Sequence, residues 1–395
     1  MNQRLIQILG VIVGIVLVAD VLVLASSVDA HRAANAPTWQ SRNKVPPTLT
    51  AMPALESFVA HARGLQFKQP VDIELVDQQE LNDARHKEED LSTGGALVPT
   101  NRVDDGAVFG AMGLLKKSVD VGQAVDQAED QGIVGIYFPR QKRLLVVGDS
   151  QTPFVREVLV HELTHALDDQ YFNLGRTDIG LHDDESAQSW RALTEGDAVS
   201  VENLYLASLS PAERAQAIQE RDARSGGASN CDCAAPNAIE DLLSYPYVAG
   251  AAFVDKLRAT GGNRAVNNAF RHPPTTSEQI LRPDRYVAHD EPALVVKPVP
   301  QGPPVGRGVF GVLDLGELLS TVIDGPTIRS ALDGWDGDRF VAWSKDAQTC
   351  LAINVANDTP ADAAKLANAF RTWLTHNPTG TVDITGNVVK LQRCA

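Results

Sequence analysis

The first apolar positions of the chain form one unbroken run. Residues 5–25 read LIQILGVIVGIVLVADVLVLA, with a single charge at Asp20. Roughly 20 apolar residues are needed to cross a bilayer, whereas the apolar core of a signal peptide is usually roughly 7–15 long. The run therefore predicts a transmembrane anchor or a cleaved signal within residues 1–30, with small residues at Val28 and Ala30 suited to cleavage. In either case Arg4 stays inside and the remainder is exported. No Cys follows the run, which excludes a lipoprotein anchor. Residues 31–53, with Pro37, Pro46, Pro47 and Pro53, have the composition of a stalk.

Beyond the stalk the pattern alternates between helical and strand periods. Residues 54–64 predict a short helix, 71–76 (VDIELV) a strand, 82–90 a charged helix, and 92–95 (STGG) a break. Residues 107–127 predict a helix. Two β-type runs at 133–138 and Arg143–Val147 flank the turn 139–142 and predict a hairpin. A helix should start at Thr152, which suits an N-cap before Pro153, and run to about Tyr171. Further helices are expected at 185–208, from Ser210 onward, at 236–259 and at 263–270. Residues 275–278 (TTSE) fit a capping box for a short helix ended by Pro283. Residues 297–308 (KPVPQGPPVGRG) hold four prolines and three glycines and mark the best domain boundary. After it come strands at 339–344 and 349–355, a helix at 360–375 and strands at 380–393. The expected architecture is α+β: a main domain at 54–296, a linker at 297–308, and a small α+β module at 309–395.

Composition narrows the function. The chain has 395 residues, 44% of them apolar, and a formal net charge of −15. Without a basic patch interleaved with aromatics, nucleic acid is excluded as a partner. The four cysteines, Cys231, Cys233, Cys350 and Cys394, form an even set in an exported chain and suggest two disulfides. Cys350 with Cys394 and Cys231 with Cys233 is the favoured pairing, with free thiols or a crossed pairing as alternatives.

The chemistry concentrates at residues 161–165, His161-Glu162-Leu163-Thr164-His165. Residues four apart stack on one helix face, so both imidazoles can reach one ion. Glu162 lies beside them and can take a proton from a water in the open coordination position. With nine histidines, a chance H-E-x-x-H is an event on the order of one in a hundred. The flanking Val155, Val158, Leu159, Leu163, Ala166 and Leu167 supply a buried face, which a solvated helix would lack. Asp169 and Asp197 are candidates to orient an imidazole through its second ring nitrogen. Tyr245, Tyr247 and His272 are candidates by type for an oxyanion donor, each with packing as the competing role. The hairpin-then-motif order suggests that Arg143–Val147 is an edge strand on which an extended peptide could lie.

The motif resembles the zincin metallopeptidases, whose active-site helix carries H-E-x-x-H. Position 171 is Tyr171, so the third His of metzincins is missing. Residues 193–198 (LTEGDA) resemble the E-G-x-A ligand helix of gluzincins. That resemblance implies Glu195 as third zinc ligand, with Glu185 and Glu202 as alternatives. Where thermolysin-like enzymes carry an acid four residues later, this chain has Val199. Residues 161–170 (HELTHALDDQ), 194–198 (TEGDA), 245–250 (YPYVAG) and 273–283 (PPTTSEQILRP) are similar to exported bacterial HExxH proteins of uncharacterised substrate. The likeness spans about residues 70–290. It implies a zincin-like fold and a Zn2+-dependent peptidase, with a peptide or protein substrate in the cell envelope and the membrane contacted through the N-terminal segment. A non-catalytic zinc-binding scaffold, or a zinc hydrolase acting on another amide or an ester, are the alternatives.

Overall fold

A computed structural model describes residues 48–92, 105–114, 133–176, 179, 184–225 and 236–395. The apolar run at 5–25, most of the stalk, and Cys231 and Cys233 lie outside these residues, as does most of the expected 107–127 helix, whose described part ends at Met112, where Gly113 turns the chain at φ 79°. No helix among the described residues is long and apolar enough to cross a membrane.

The chain opens with α1 (Met52–Arg63), β1 (Asp72–Val76), α2 (Gln78–Ser92) and α3 (Asp105–Met112). The expected hairpin follows as β2 (Gly135–Phe138) and β3 (Arg143–Val147), with Tyr137 opposite Leu144. Then come α4 (Pro153–Phe172), α5 (Asp184–Ser208), α6 (Pro211–Ser225) and α7 (Pro236–Arg271), the last broken at Gly262, where φ is 61°. Two short helices, α8 (Ser277–Leu281) and α9 (Pro283–Val287), lead to β4 (Pro304–Gly308). The rest is α10 (Gly311–Ser320), α11 (Gly325–Ala331), β5 (Trp335–Lys345), β6 (Gln348–Asn357), α12 (Pro360–Leu374), β7 (Gly380–Thr385) and β8 (Val388–Cys394). The class is α+β.

The first sheet has the order β1-β3-β2, with β1 parallel and β2 antiparallel to β3. This corrects the expectation for Arg143–Val147. The strand is central, and β2 is the edge nearer α4, with all four of its residues buried. Burial on both faces explains why residues 143–147 read as a continuous apolar run rather than an alternating one.

α4 is the axis of this half. Thr152 caps it by accepting from the Val155 amide, Pro153 occupies the first turn, and Asn173 ends it in the left-handed region at φ 55°. Nearly all of its residues are buried, because the β2–β3 hairpin, α1, α5 and α6 surround it. Val59, Ile136, Leu144, Val146, Leu159 and Leu163 form one core between α1, the sheet and α4. Burying each such side chain contributes about 1.5–3 kcal/mol. A second core joins α5 to α7 through Trp190, Leu193, Phe253 and Phe270.

The second sheet is fully antiparallel, in the order β4-β5-β6-β8-β7. Cys350 on β6 faces Cys394 on β8, and the two form a disulfide, as the sequence suggested. Two features depart from the expected boundary. Residues 304–308 of the supposed linker are strand β4, and the stretch before it is fastened to the sheet by Asn354 Nδ2 donating to the Val296 carbonyl at 2.7 Å. In addition α3, nearly two hundred residues upstream by sequence, contributes Val108 and Met112 to the core of the C-terminal unit, with Leu351, Phe370 and Leu391. Arg393 Nη1 donates to the Ala111 carbonyl at 2.6 Å. The C-terminal core therefore takes in a helix from the earlier part of the chain, which a boundary at 297 does not convey.

The C-terminal unit also grips the helices of the main half. Ser277 donates its amide and its hydroxyl to Glu185 of α5, at 2.7 and 2.6 Å, while its Oγ accepts from the Leu313 amide of α10. The capping box is displaced by one residue from expectation. Thr276 caps α8 by accepting from Gln279, and Gln279 Oε1 accepts from the Thr275 amide. Glu278 instead pairs with Arg282 at 2.9 Å.

Candidate metal centre

His161 and His165 lie one turn apart on α4, and Glu195 comes from α5 crossing beside it. His165 Nε2 is 3.1 Å from His161 Nε2. Glu195 Oε2 is 3.2 Å from His161 Nε2 and 3.6 Å from His165 Nε2. Bonds of about 2.0–2.1 Å around a tetrahedral zinc place neighbouring ligand atoms about 3.3 Å apart. The spacing of these three atoms is close to that of one face of such a tetrahedron, and among the described residues they are the group of His, Cys, Asp or Glu side chains that could hold a metal. The donor chemistry agrees. Glu195 Oε1 is buried with no hydrogen-bond partner, an expensive state that a cation beside the carboxylate would relieve. Burial by itself would push the Glu195 carboxyl up, but the two imidazoles hold it at about 2. Burial also opposes charge on His161, yet its bonds to Glu195 and Glu202 and the neighbouring Glu162 charge raise its pKa well above 6.5. Both shifts report the attraction between the imidazoles and the buried carboxylates around them.

Glu195 reaches α4 because α5 and α7 cross with their backbones in contact. A Cβ on Gly196 would collide with the Gly250 carbonyl and lie 2.7 Å from the Ala251 amide nitrogen, and a Cβ on Gly250 would collide with the Ala192 carbonyl. Only glycine permits this approach. The segments 194–198 and 245–250 are therefore two sides of one helix crossing. Asp197 holds the same crossing from the other side, paired with Arg258 at 2.7 Å and with buried Arg63, which also binds Asp168 of α4 at 2.7 Å.

Glu162 is fully buried, and its Oε2 accepts from the Tyr137 amide of β2 at 2.7 Å. Strand β2 is thus fixed over the motif by its backbone. The Tyr137 hydroxyl donates to Asp169 at 2.6 Å, so both ends of Tyr137 are tied to α4.

The expected imidazole partners are corrected. Asp169 binds Tyr137, Lys142 at 2.7 Å and the Leu174 amide at 2.8 Å, and pins the hairpin turn rather than a ring. Asp197 serves the arginines. The carboxylate on His161 Nδ1 belongs to Glu202, at 3.1 Å. Glu202 sits seven residues after Glu195, two turns along the same face, and that spacing is the signal that could have found it. Glu185, an alternative third ligand, is occupied by Ser277. Of the proposed oxyanion donors only Tyr247 lies beside the centre, its ring 6.5 Å from that of His161. Tyr245 packs in the α5–α7 core, near Glu185 and Asp314, where burial pushes its hydroxyl well up. His272 is exposed at the end of α7, its carbonyl accepting from Tyr286.

Among known proteins, residues 300–393 match a family model described as a domain of unknown function (DUF8575). The match covers the second sheet and its helices and stops short of the metal centre. No curated protein and no solved structure matches the chain.

Proposed function

We propose that the protein is a zinc-dependent hydrolase of the zincin kind, cleaving peptide bonds outside the cytoplasm. The observation that carries this reading is the triangle of His161 Nε2, His165 Nε2 and Glu195 Oε2, with sides of 3.1, 3.2 and 3.6 Å, adjoined by Glu162. A zinc ion held there would supply a water whose pKa is lowered to roughly 7. Glu162 then acts as general base and passes the proton to the leaving amine. The Tyr137 amide holds one oxygen of that carboxylate in place. Tyr247, whose ring lies 6.5 Å from that of His161, would be the side chain to test as donor to a developing oxyanion. The apolar run at 5–25 supports export, and the substrate would be a peptide or protein of the cell envelope.

A second reading is favoured by the near-complete burial of His161, Glu162, His165 and Glu195. A centre so enclosed suits a structural metal, with the C-terminal unit engaging an envelope partner. Metal content and cleavage of unfolded polypeptides, measured on wild type, Glu195→Ala and Glu162→Gln, separate the two. The hydrolase predicts one zinc per chain in wild type and Glu162→Gln, little in Glu195→Ala, and cleavage by wild type alone. Cleavage undiminished in Glu162→Gln would refute the assigned base. Zinc without cleavage in wild type would favour the structural role.

A further inference from the structure

Behind the candidate metal centre lies a charge cluster of which only Glu202 has been given a role above. Glu157 precedes His161 by one turn on α4, and Glu202 follows Glu195 by two turns on α5. Both carboxylates are buried, on the same faces as the ligands. Between them stands Arg221, from the third helix, α6, itself only 4% exposed. Its Nη2 pairs with Glu157 Oε1 and lies 3.8 Å from Glu202 Oε1, a charge contact rather than a hydrogen bond. Glu202 Oε2 in turn meets His161 Nδ1 at 3.1 Å.

We propose that Arg221 is a positioning residue for the metal centre, acting through Glu202 on His161. The inference rests on the metal reading above. Without the guanidinium, Glu157 and Glu202 would be two buried carboxylates facing each other, with Glu195 a third nearby. Their repulsion would draw Glu202 away from the His161 ring. With Arg221 present, Glu202 stays against Nδ1 and accepts a hydrogen bond from the Nδ1 proton. That fixes the tautomer whose Nε2 lone pair points at Glu195 and His165, where a cation would bind. Lysine would keep the positive charge but not the shape and reach of the guanidinium, so it would substitute only in part. Helix α6, which carries no ligand, is also tied to α4 by the partly exposed Arg156–Glu213 pair at 2.9 Å near its own start. Helix α6 acts as a rear wall that sets ligand geometry.

The test is zinc affinity of the full chain, by competition with a chelator, together with the His161 ring signals in nitrogen-correlated NMR of the metal-free protein. Arg221→Met should weaken zinc binding by about 10–100-fold, the usual cost of losing an outer-shell partner. Arg221→Lys should fall between, and Glu220→Gln, at the surface of the same helix, should match wild type. Because Arg221 acts through Glu202, Arg221→Met combined with Glu202→Gln should bind zinc no more weakly than Glu202→Gln alone. At a pH high enough for the ring to be neutral, the Nδ1-protonated tautomer of His161 should dominate in wild type and lose ground in Arg221→Met. If Arg221→Met does not fold, Arg221→Gln is measured in its place and should show the same loss, and adding Glu157→Gln, which removes the repulsion, should recover part of it; no recovery would count against the mechanism. Zinc affinity within twofold of wild type, or losses that simply add in the double variant, would overturn the role of Arg221 and leave the metal reading standing. No zinc bound by wild type would overturn both.

Discussion

Gly196→Ala tests the helix crossing on which the metal centre depends. The added Cβ would lie 2.7 Å from the Ala251 nitrogen and run into the Gly250 carbonyl. Non-bonded contacts of this kind settle at about 3.5 Å or more, so α5 and α7 must part by about 1 Å. The obstruction is backbone on both sides, so no side chain can turn aside. Overpacking typically costs about 1–3 kcal/mol, and a rigid contact belongs at the upper end. Alanine recovers up to about 1 kcal/mol through its better helix propensity. The net loss is about 2 kcal/mol, or roughly 4–8 °C in Tm on the scale of domains of 150–250 residues. The effect on the site should be larger in proportion. Glu195 is the adjacent residue, and a shift of about 1 Å far exceeds the tolerance of about 0.2 Å on zinc–ligand distances. Zinc affinity should fall at least tenfold. Thermal melts of the metal-free protein and chelator competition measure the two terms separately. A variant with unchanged Tm and zinc affinity within twofold of wild type would refute the claim that backbone contact at Gly196 places Glu195.

Two more outcomes follow from the charges and the disulfide. The raised pKa of His161 favours the metal-free folded state below the ordinary imidazole value of 6.5, and that contribution is lost as pH rises through the raised value. Zinc must displace the same proton, so its apparent affinity should climb with pH by up to about tenfold per unit, with about one proton released near pH 7. Calorimetry in buffers of different ionisation enthalpy reads this directly, and no proton release between pH 6 and 8 would contradict it. Reducing Cys350–Cys394, with its sequence separation of 44, removes a constraint worth about 4 kcal/mol by loop entropy. The expected result is a lower melting temperature for the C-terminal unit, and an unchanged melt under reductant would count against it.

The local elements were legible in the sequence because local rules govern them. Thr152 before Pro153 announced α4, and the apolar runs around residues 139–142 announced the hairpin. The metal motif was legible for the same reason, since two histidines four apart share a helix face whatever surrounds them. Hidden were β4, where proline and glycine imitate a linker until β5 offers a pairing edge, and the burial of β3 at the centre of its sheet.

By itself the sequence pointed to the α+β class, the main helices and the placing of His161, Glu162 and His165 on one of them, through periodicity, capping and short spacing, which act within a few turns of chain. It favoured the Cys350–Cys394 pair among alternatives, and it reached Glu195 only through the resemblance to gluzincins. Only the tertiary structure decided which carboxylate meets which cation. Asp169 and Asp197 have the right residue type and lie near the ligands in sequence, yet they serve Lys142, Arg63 and Arg258. Glu202 meets His161, and Arg221 backs it, because α4, α5 and α6 converge there. Such pairings depend on how helices cross, and the crossing is set by close approach at Gly196 and Gly250, a property of two segments that no local pattern connects.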